Sequence, residues 1–229
     1  MKILGTAAFL VAVFTAARPV SADHPGENLD AVMGGKETYF QTVDKVAPPF
    51  ALSDADGKPV DLTDFNGKVV VMNFIYTSCP DVCPLHAEKI AAVQAMINGS
   101  PMKDMVQFIS VTTDPANDTP DILASYGPDH GLDALNWKFL TVRAGQGEAA
   151  SRKLAESYGH KFEATEDGFQ AHGIVTHVID GAGRWAANFH GLKFKSVNLV
   201  LYINGLINNE NAPATSRDSG WFEKMKELF

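Results

Sequence analysis

Phe74-Ile75-Tyr76-Thr77-Ser78-Cys79-Pro80-Asp81-Val82-Cys83-Pro84 holds both cysteines of the 229-residue chain and lies where an apolar run gives way to a helical pattern. Ahead of it, Val69-Val70-Val71-Met72-Asn73-Phe74-Ile75 is β-branched and almost wholly apolar, the composition of a strand buried on both faces. Behind it, Ile90, Val93 and Ile97 recur at helical spacing, with alanines between them, as far as Gly99. The thiols therefore fall in a strand-to-helix turn. Each is followed by a proline, the residue favoured at the first helical position because its missing N–H is not needed there. Cys83 is the expected N-cap, since a helix starting at Cys79 would carry Pro84 past its first turn and lose a backbone hydrogen bond.

That placement has a chemical consequence. The unpaired amides and dipole of a helix N-terminus favour thiolate over thiol. A free cysteine of pKa about 8.5 is only ~3% thiolate at pH 7, whereas a pKa of about 7 makes it roughly half thiolate. Thiolate is the form that attacks disulfides and binds soft metals. With three residues between them the two sulfurs can reach each other or one ion: residues four apart in a helical turn are neighbours, and about 6 Å between Cα atoms is within disulfide range. A purely structural disulfide is the plainer reading, although so small a loop removes little unfolded-state entropy.

Residues 1–22 begin with Lys2, run apolar from Ile3 to Ala17 and end in Val20-Ser21-Ala22, a small-residue cleavage pattern. This predicts a secretory signal peptide of bacterial type and a periplasmic protein. The run is shorter than the ~20 residues of a spanning helix, so a retained anchor is the lesser alternative. Losing Lys2 and Arg18 takes the formal charge from -8 to -10, which argues against nucleic acid as a partner. An oxidising compartment also permits a disulfide between the cysteines. At 45% hydrophobic composition the remaining chain can bury one substantial core.

Residues 23–47 read as an N-terminal arm, 48–207 as the domain and 208–229 as a polar tail with Trp221-Phe222 in a short amphipathic stretch. Phe50-Ala51-Leu52 and Val60-Asp61-Leu62 flank Asp54-Ala55-Asp56-Gly57, a hairpin signal. Val106 to Thr112 is a second buried strand after the first helix, as a parallel strand-helix-strand unit requires. A loop from Asp114 follows, and Asp118 or Thr119 is expected to cap a helix from Pro120 to Tyr126. Trp137 to Thr141 is a short strand, and Glu148 to Tyr158 a helix closed by Gly159. His172 to Asp180 and Arg184 to Phe189 form an antiparallel hairpin around Gly181-Ala182-Gly183, and Phe194 to Ile207 is a last packed helix. This order predicts an α/β, thioredoxin-like fold: a central mixed sheet flanked by helices, with an N-terminal hairpin extension.

Over about residues 48–207 the chain resembles the Sco family, called SenC in bacteria. The resemblance rests on Tyr76 to Pro84, on Phe108-Ile109-Ser110-Val111 with Asp114-Pro115 and Asp118-Thr119-Pro120, and on Trp137-Lys138-Phe139-Leu140-Thr141. It implies a copper chaperone for cytochrome c oxidase assembly, with the metal held by Cys79, Cys83 and a histidine some eleven residues ahead of the late hairpin glycine. Counting back from Gly183 gives His172. Here Ala171 stands where the family usually has aspartate, and His177 where it usually has an aromatic. Two thiolates and one imidazole form a soft trigonal set suited to Cu(I), with Cu(II) a second candidate state, whereas zinc would want a fourth ligand.

Of the other histidines, His24, His130, His160 and His190 read as ordinary surface or core residues. His177 alternates with Val175 and Ile179 along a strand and is expected in the core. His86, three residues after Cys83, shares its side of the helix and is a competing candidate. Asp81 and Asp114 could steer a cation or simply pack their own turns. Two function classes remain open. One is a metallochaperone that loads the binuclear copper site of an oxidase subunit, with a periplasmic thiol-disulfide reductase or another copper chaperone as a further partner. The other is a thiol-disulfide oxidoreductase or peroxidase, with one thiolate attacking and the other resolving. The stretch Gly168 to Val178 lacks the proline that thioredoxin-type enzymes carry before the strand facing their cysteines, which favours the first.

Overall fold

The computed structural model describes residues 29–164, 170–171 and 173–211. The expected signal peptide over 1–22, His24, His172 and the tail from residue 212 onward lie outside the described residues. In chain order the elements are helix α1 (Leu29–Lys36), strands β1 (Phe40–Val46), β2 (Ala51–Asp54), β3 (Pro59–Asp61) and β4 (Val69–Ile75), helix α2 (Val82–Asn98), strand β5 (Val106–Thr112), helix α3 (Pro120–Asp129), strand β6 (Trp137–Thr141) and helix α4 (Ala149–Ser157). The two-residue strands β7 (Glu163–Ala164) and β8 (Gln170–Ala171), strands β9 (Val175–Ile179) and β10 (Arg184–His190), and helix α5 (Ser196–Asn211) complete the chain.

Eight strands form one sheet in the order β1-β10-β9-β4-β5-β6-β2-β3. β4, β5 and β6 run parallel, with Val69 opposite Val106 and Phe108 opposite Trp137. Parallel neighbours need a crossover, and α2 and α3 supply the two. β9 joins β4 antiparallel, β10 returns beside it, and β1 closes that edge antiparallel to β10. At the opposite edge the β2–β3 hairpin attaches through β2 to β6. This is the expected thioredoxin-like mixed sheet with its N-terminal hairpin.

Alternation along β4 sends Val69, Val71 and Ile75 to one face and Val70, Met72 and Phe74 to the other, with none of the six more than 2% exposed. The first set packs against α2, α3 and α5 through Ile90, Val93, Leu123, Leu199 and Ile203, and both cysteines belong to that core. The second packs with Leu140, Leu154, Tyr158, Ile179 and Trp185. Each such aliphatic or aromatic side chain is worth about 1.5–3 kcal/mol of burial, so the strand that delivers the cysteine turn is firmly anchored. α3 comes so close to β6 that a Cβ on Gly127 would stand 2.1 Å from the Trp137 ring, which is why that helical position is glycine.

The structure departs from the sequence expectation in several places: α5 runs from Ser196 to Asn211, into the stretch 208–229 expected as tail, and the strand expected from His172 is observed as β9 from Val175. α2 begins at Val82 with Asp81 as N-cap, so Cys83 is the second helical residue and not the cap. Pro84 then sits third, where the amide still has no intrahelical acceptor and its absence costs nothing. The arm expected over 23–47 contributes α1 and the edge strand β1, which are parts of the folded unit. α3 runs past Tyr126 to Asp129 and carries Pro128 within it.

Candidate metal centre

β4 ends at Ile75, whose carbonyl accepts the Thr113 N–H at 2.8 Å and so ties the strand end to the chain leaving β5. The chain then turns, with the Cys79 N–H donating to the Tyr76 carbonyl at 3.3 Å, and enters α2. Asp81 has the non-helical backbone of an N-cap (φ −126°, ψ −80°), but its side chain makes no capping bond. The Cys79 sulfur takes that place: it accepts from the Asp81 and Cys83 amides, from the Cys83 thiol and from the Tyr76 side chain. The cysteine ahead of the helix thus receives the unpaired donors of its first turn.

Both thiols are free and buried, at 6% and 4% exposure. Their acidities separate. Burial opposes ionisation of Cys79, but the Asp81 amide and the other donors outweigh it and hold its pKa below the ordinary thiol value. Burial pushes the Cys83 thiol far up, and the negative charges of Cys79 and Asp118 add to that, against the single Tyr76 amide that favours the anion. Of the pair, Cys79 is therefore the more acidic thiol and Cys83 the one that holds its proton more firmly.

Beneath the turn lies a carboxylate. Asp118 is 2% exposed and accepts from the Thr77 N–H at 3.2 Å and from the hydroxyls of Thr77 and Thr112. Burial raises its pKa although these bonds pull the other way, and the Asp114 charge adds to the rise. Tyr126, from α3, borders the same site: its ring packs on Phe139, its hydroxyl is buried without a hydrogen-bond partner among the described residues, and burial together with the two thiol charges drives its pKa up. Sequence reasoning assigned neither Asp118, Thr77, Tyr76 nor Tyr126 to the site. Asp118 stood out as a cap candidate and as part of the Asp118-Thr119-Pro120 motif, and the cap proves to be Thr119.

Of the sequence candidates, Cys79 and Cys83 are brought together, and His172 lies outside the described residues. His86 is buried and its Nε2 lies 2.9 Å from the Thr176 hydroxyl, so it joins α2 to β9. His177 fills the core on the opposite face, bonded to Asn188 and His160. Asp114 holds its own loop by accepting from the Asn117 side chain at 2.9 Å. Among the described residues no three His, Cys, Asp or Glu side chains converge as a metal cluster. The described donors are two sulfurs, a soft set that fits a monovalent copper ion better than a hard cation.

The SCO1/SenC family model matches residues 40–202. The mitochondrial SCO2 homolog of Mus musculus is 38% identical over 136 residues, 58% of this chain and 52% of that protein, so the chain spans about half the length of this relative. A SCO1/SenC family lipoprotein from Bacillus anthracis superposes with a TM-score of 0.65 at 26% identity, over 72% of this chain and 97% of that one. ScoI of Bradyrhizobium japonicum, solved with copper bound, gives 0.58 at 28% identity over 70% and 99%. With the family model spanning well over half of its residues, sheet and cysteine turn included, the chain belongs to the SCO1/SenC family.

Proposed function

We propose that this chain is an exported, periplasmic metallochaperone that carries copper through Cys79, Cys83 and His172 and delivers it to the binuclear copper site of a cytochrome c oxidase subunit. The observation that carries this reading is the pair of buried, free thiols in contact at the start of α2. Copper bound to ScoI, a structure 28% identical to this chain, supports it. Loading displaces the thiol protons, and Cys79, the more acidic of the two, gives its proton up more readily than Cys83. A three-coordinate set of two sulfurs and one imidazole holds Cu(I) firmly yet leaves room for an incoming ligand, which is what transfer by ligand exchange requires.

Copper titration of the reduced protein, with X-ray absorption to count sulfur and nitrogen ligands, tests the proposal. One Cu(I) with two sulfurs and one nitrogen is expected. His172→Ala should weaken binding at least tenfold and leave the Cys79–Cys83 disulfide able to form. Unchanged affinity in that variant removes His172 from the ligand set.

The split acidity of the thiols favours a second reading, a thiol-disulfide reductase acting on the oxidase copper-site cysteines, with Cys79 attacking and Cys83 resolving. Loss of reductase activity in Cys79→Ser and Cys83→Ser, with copper loading of the oxidase intact, decides for that reading.

A further inference from the structure

One buried carboxylate joins three elements at the cysteine turn. Asp118 receives the Thr77 N–H on both oxygens, at 3.2 and 3.3 Å, and the Thr77 hydroxyl on one of them. Its other oxygen receives the Thr112 hydroxyl, which itself accepts the Asp114 N–H at 2.9 Å. Thr77 lies two residues before Cys79, Thr112 ends β5, and Asp118 immediately precedes the cap of α3. At 2% exposure the carboxylate has left water, so its acceptor sites must be filled from within, and two threonines fill them.

The other bonds of the turn run within it and to the start of α2, whereas Asp118 ties it to β5 and α3. The Asp81 side chain makes no capping bond, and the residues from Tyr76 to Asp81 belong to neither strand nor helix. Charge-assisted bonds to a buried carboxylate are among the stronger hydrogen bonds available to a chain, and two from a single residue fix its position and orientation. A thiol pair acts on one ion, or closes on itself, with an effective concentration set by how tightly its geometry is held.

We propose that Asp118 is a positioning residue: by holding Thr77 from β5 and the start of α3, it sets the separation of the Cys79 and Cys83 sulfurs. The inference rests on the thiol pair as the working site and extends the copper reading to residues outside the ligand set. It assigns the function to the hydrogen bonds and not to the negative charge, so removing the Thr77 hydroxyl, which leaves the charge in place, acts in the same direction as neutralising Asp118.

Full-length Thr77→Val, Thr77→Ser and Asp118→Asn are compared with the wild type by two measurements. The first is Cu(I) affinity against a competing chelator. The second is the equilibrium with glutathione disulfide, in which the two thiols give up two electrons and two protons, one S–S bond forms between Cys79 and Cys83, and two molecules of glutathione leave. Thr77→Val and Asp118→Asn should each lower copper affinity about tenfold and shift the disulfide equilibrium toward dithiol by a similar factor, while Thr77→Ser stays within twofold of wild type. Wild-type values in Thr77→Val overturn the inference, whether or not Asp118→Asn differs, because an effect confined to Asp118→Asn is one of charge. Failure of Asp118→Asn to fold leaves the threonine pair to decide. A wild type that binds no Cu(I) overturns the copper reading alone, and the disulfide equilibrium still decides on Thr77 and Asp118.

Discussion

Cys79 and Cys83 share a turn, a core and a contact, yet their acidities move in opposite directions, because burial dominates at Cys83 while the donors at the helix start outweigh it at Cys79. Cys79 precedes α2 and collects its first amides, whereas Cys83 is inside the helix, buried, and faces the charges of Cys79 and Asp118. Single-thiol variants make this measurable. In Cys83→Ser the remaining Cys79 should alkylate with iodoacetamide at neutral pH at least tenfold faster than Cys83 does in Cys79→Ser, and equal rates would contradict the asymmetry. The spacing and the two prolines made the turn and its helix-end electrostatics legible in the sequence. The difference between the thiols was not legible, because it depends on how deeply each sulfur is buried and on which of them collects the amides of the helix start. Asp118 was hidden for a related reason: Asp118 and Thr119 are equally good caps on paper, and only the fold shows that one turns inward to Thr77 while the other caps.

At the scale of elements, the segment ahead of Pro48 is integral to the domain, and Glu37 shows why. This buried carboxylate accepts the Lys195 N–H at 2.9 Å and the Asn198 side-chain amide at 2.8 Å, so the α1–β1 connection supplies the acceptor for the first turn of α5. Burial opposes its ionisation, but the bonds from Lys195, Asn198 and Tyr39 outweigh it and hold its pKa below the ordinary carboxylate value. Glu37→Ala leaves the α5 donors without that partner and should cost about 1–3 kcal/mol, read as a lowered urea midpoint with an unchanged slope. A midpoint equal to wild type would mean that α5 caps itself. β4, α2, β5 and β6 could be read from the sequence because their apolar runs or helical periods are long. β1 could not: Gln41, Thr42, Asp44, Lys45 and Val46 are exposed on an edge strand that bends where the register shifts between Thr42 and Lys45. An edge strand with one solvated face and a bulge carries little periodic signal.

Across the whole molecule, the sheet separates two buried polar systems, the thiols on the α2 face and a histidine pair on the other. The hydrogen bonds fix the state of that pair. Trp185 Nε1 donates to Asn188 Oδ1 at 2.8 Å, so this atom is an acceptor, and His177 Nδ1, also 2.8 Å from it, must carry a proton. The Nε2 of a neutral His177 is then a lone pair, and His160 Nε2, 2.9 Å away, donates to it. A second proton on His177 would meet that N–H head-on. Burial first, then the charges of His160, His86 and His190, depress the His177 pKa well below the ordinary histidine value of 6.5, with the Asn188 bond favouring the cation. Because the folded pKa lies below the unfolded one, the unfolded chain binds more protons as acid is added. The stabilisation from a neutral His177 is therefore complete above about pH 7 and is lost as pH falls through the unfolded value near 6.5 toward the folded one. The slope for one such group reaches at most about 1.4 kcal/mol per pH unit. Urea unfolding of the copper-free protein at pH 7.5, 6 and 5 should show stability falling over this range. Replacing the pair with His177→Phe and His160→Val together should flatten the decline, while the Cys79 alkylation rate at pH 7.5 stays as it was, because the sheet lies between the two systems. A decline just as steep in the double variant would assign the acid sensitivity to other groups.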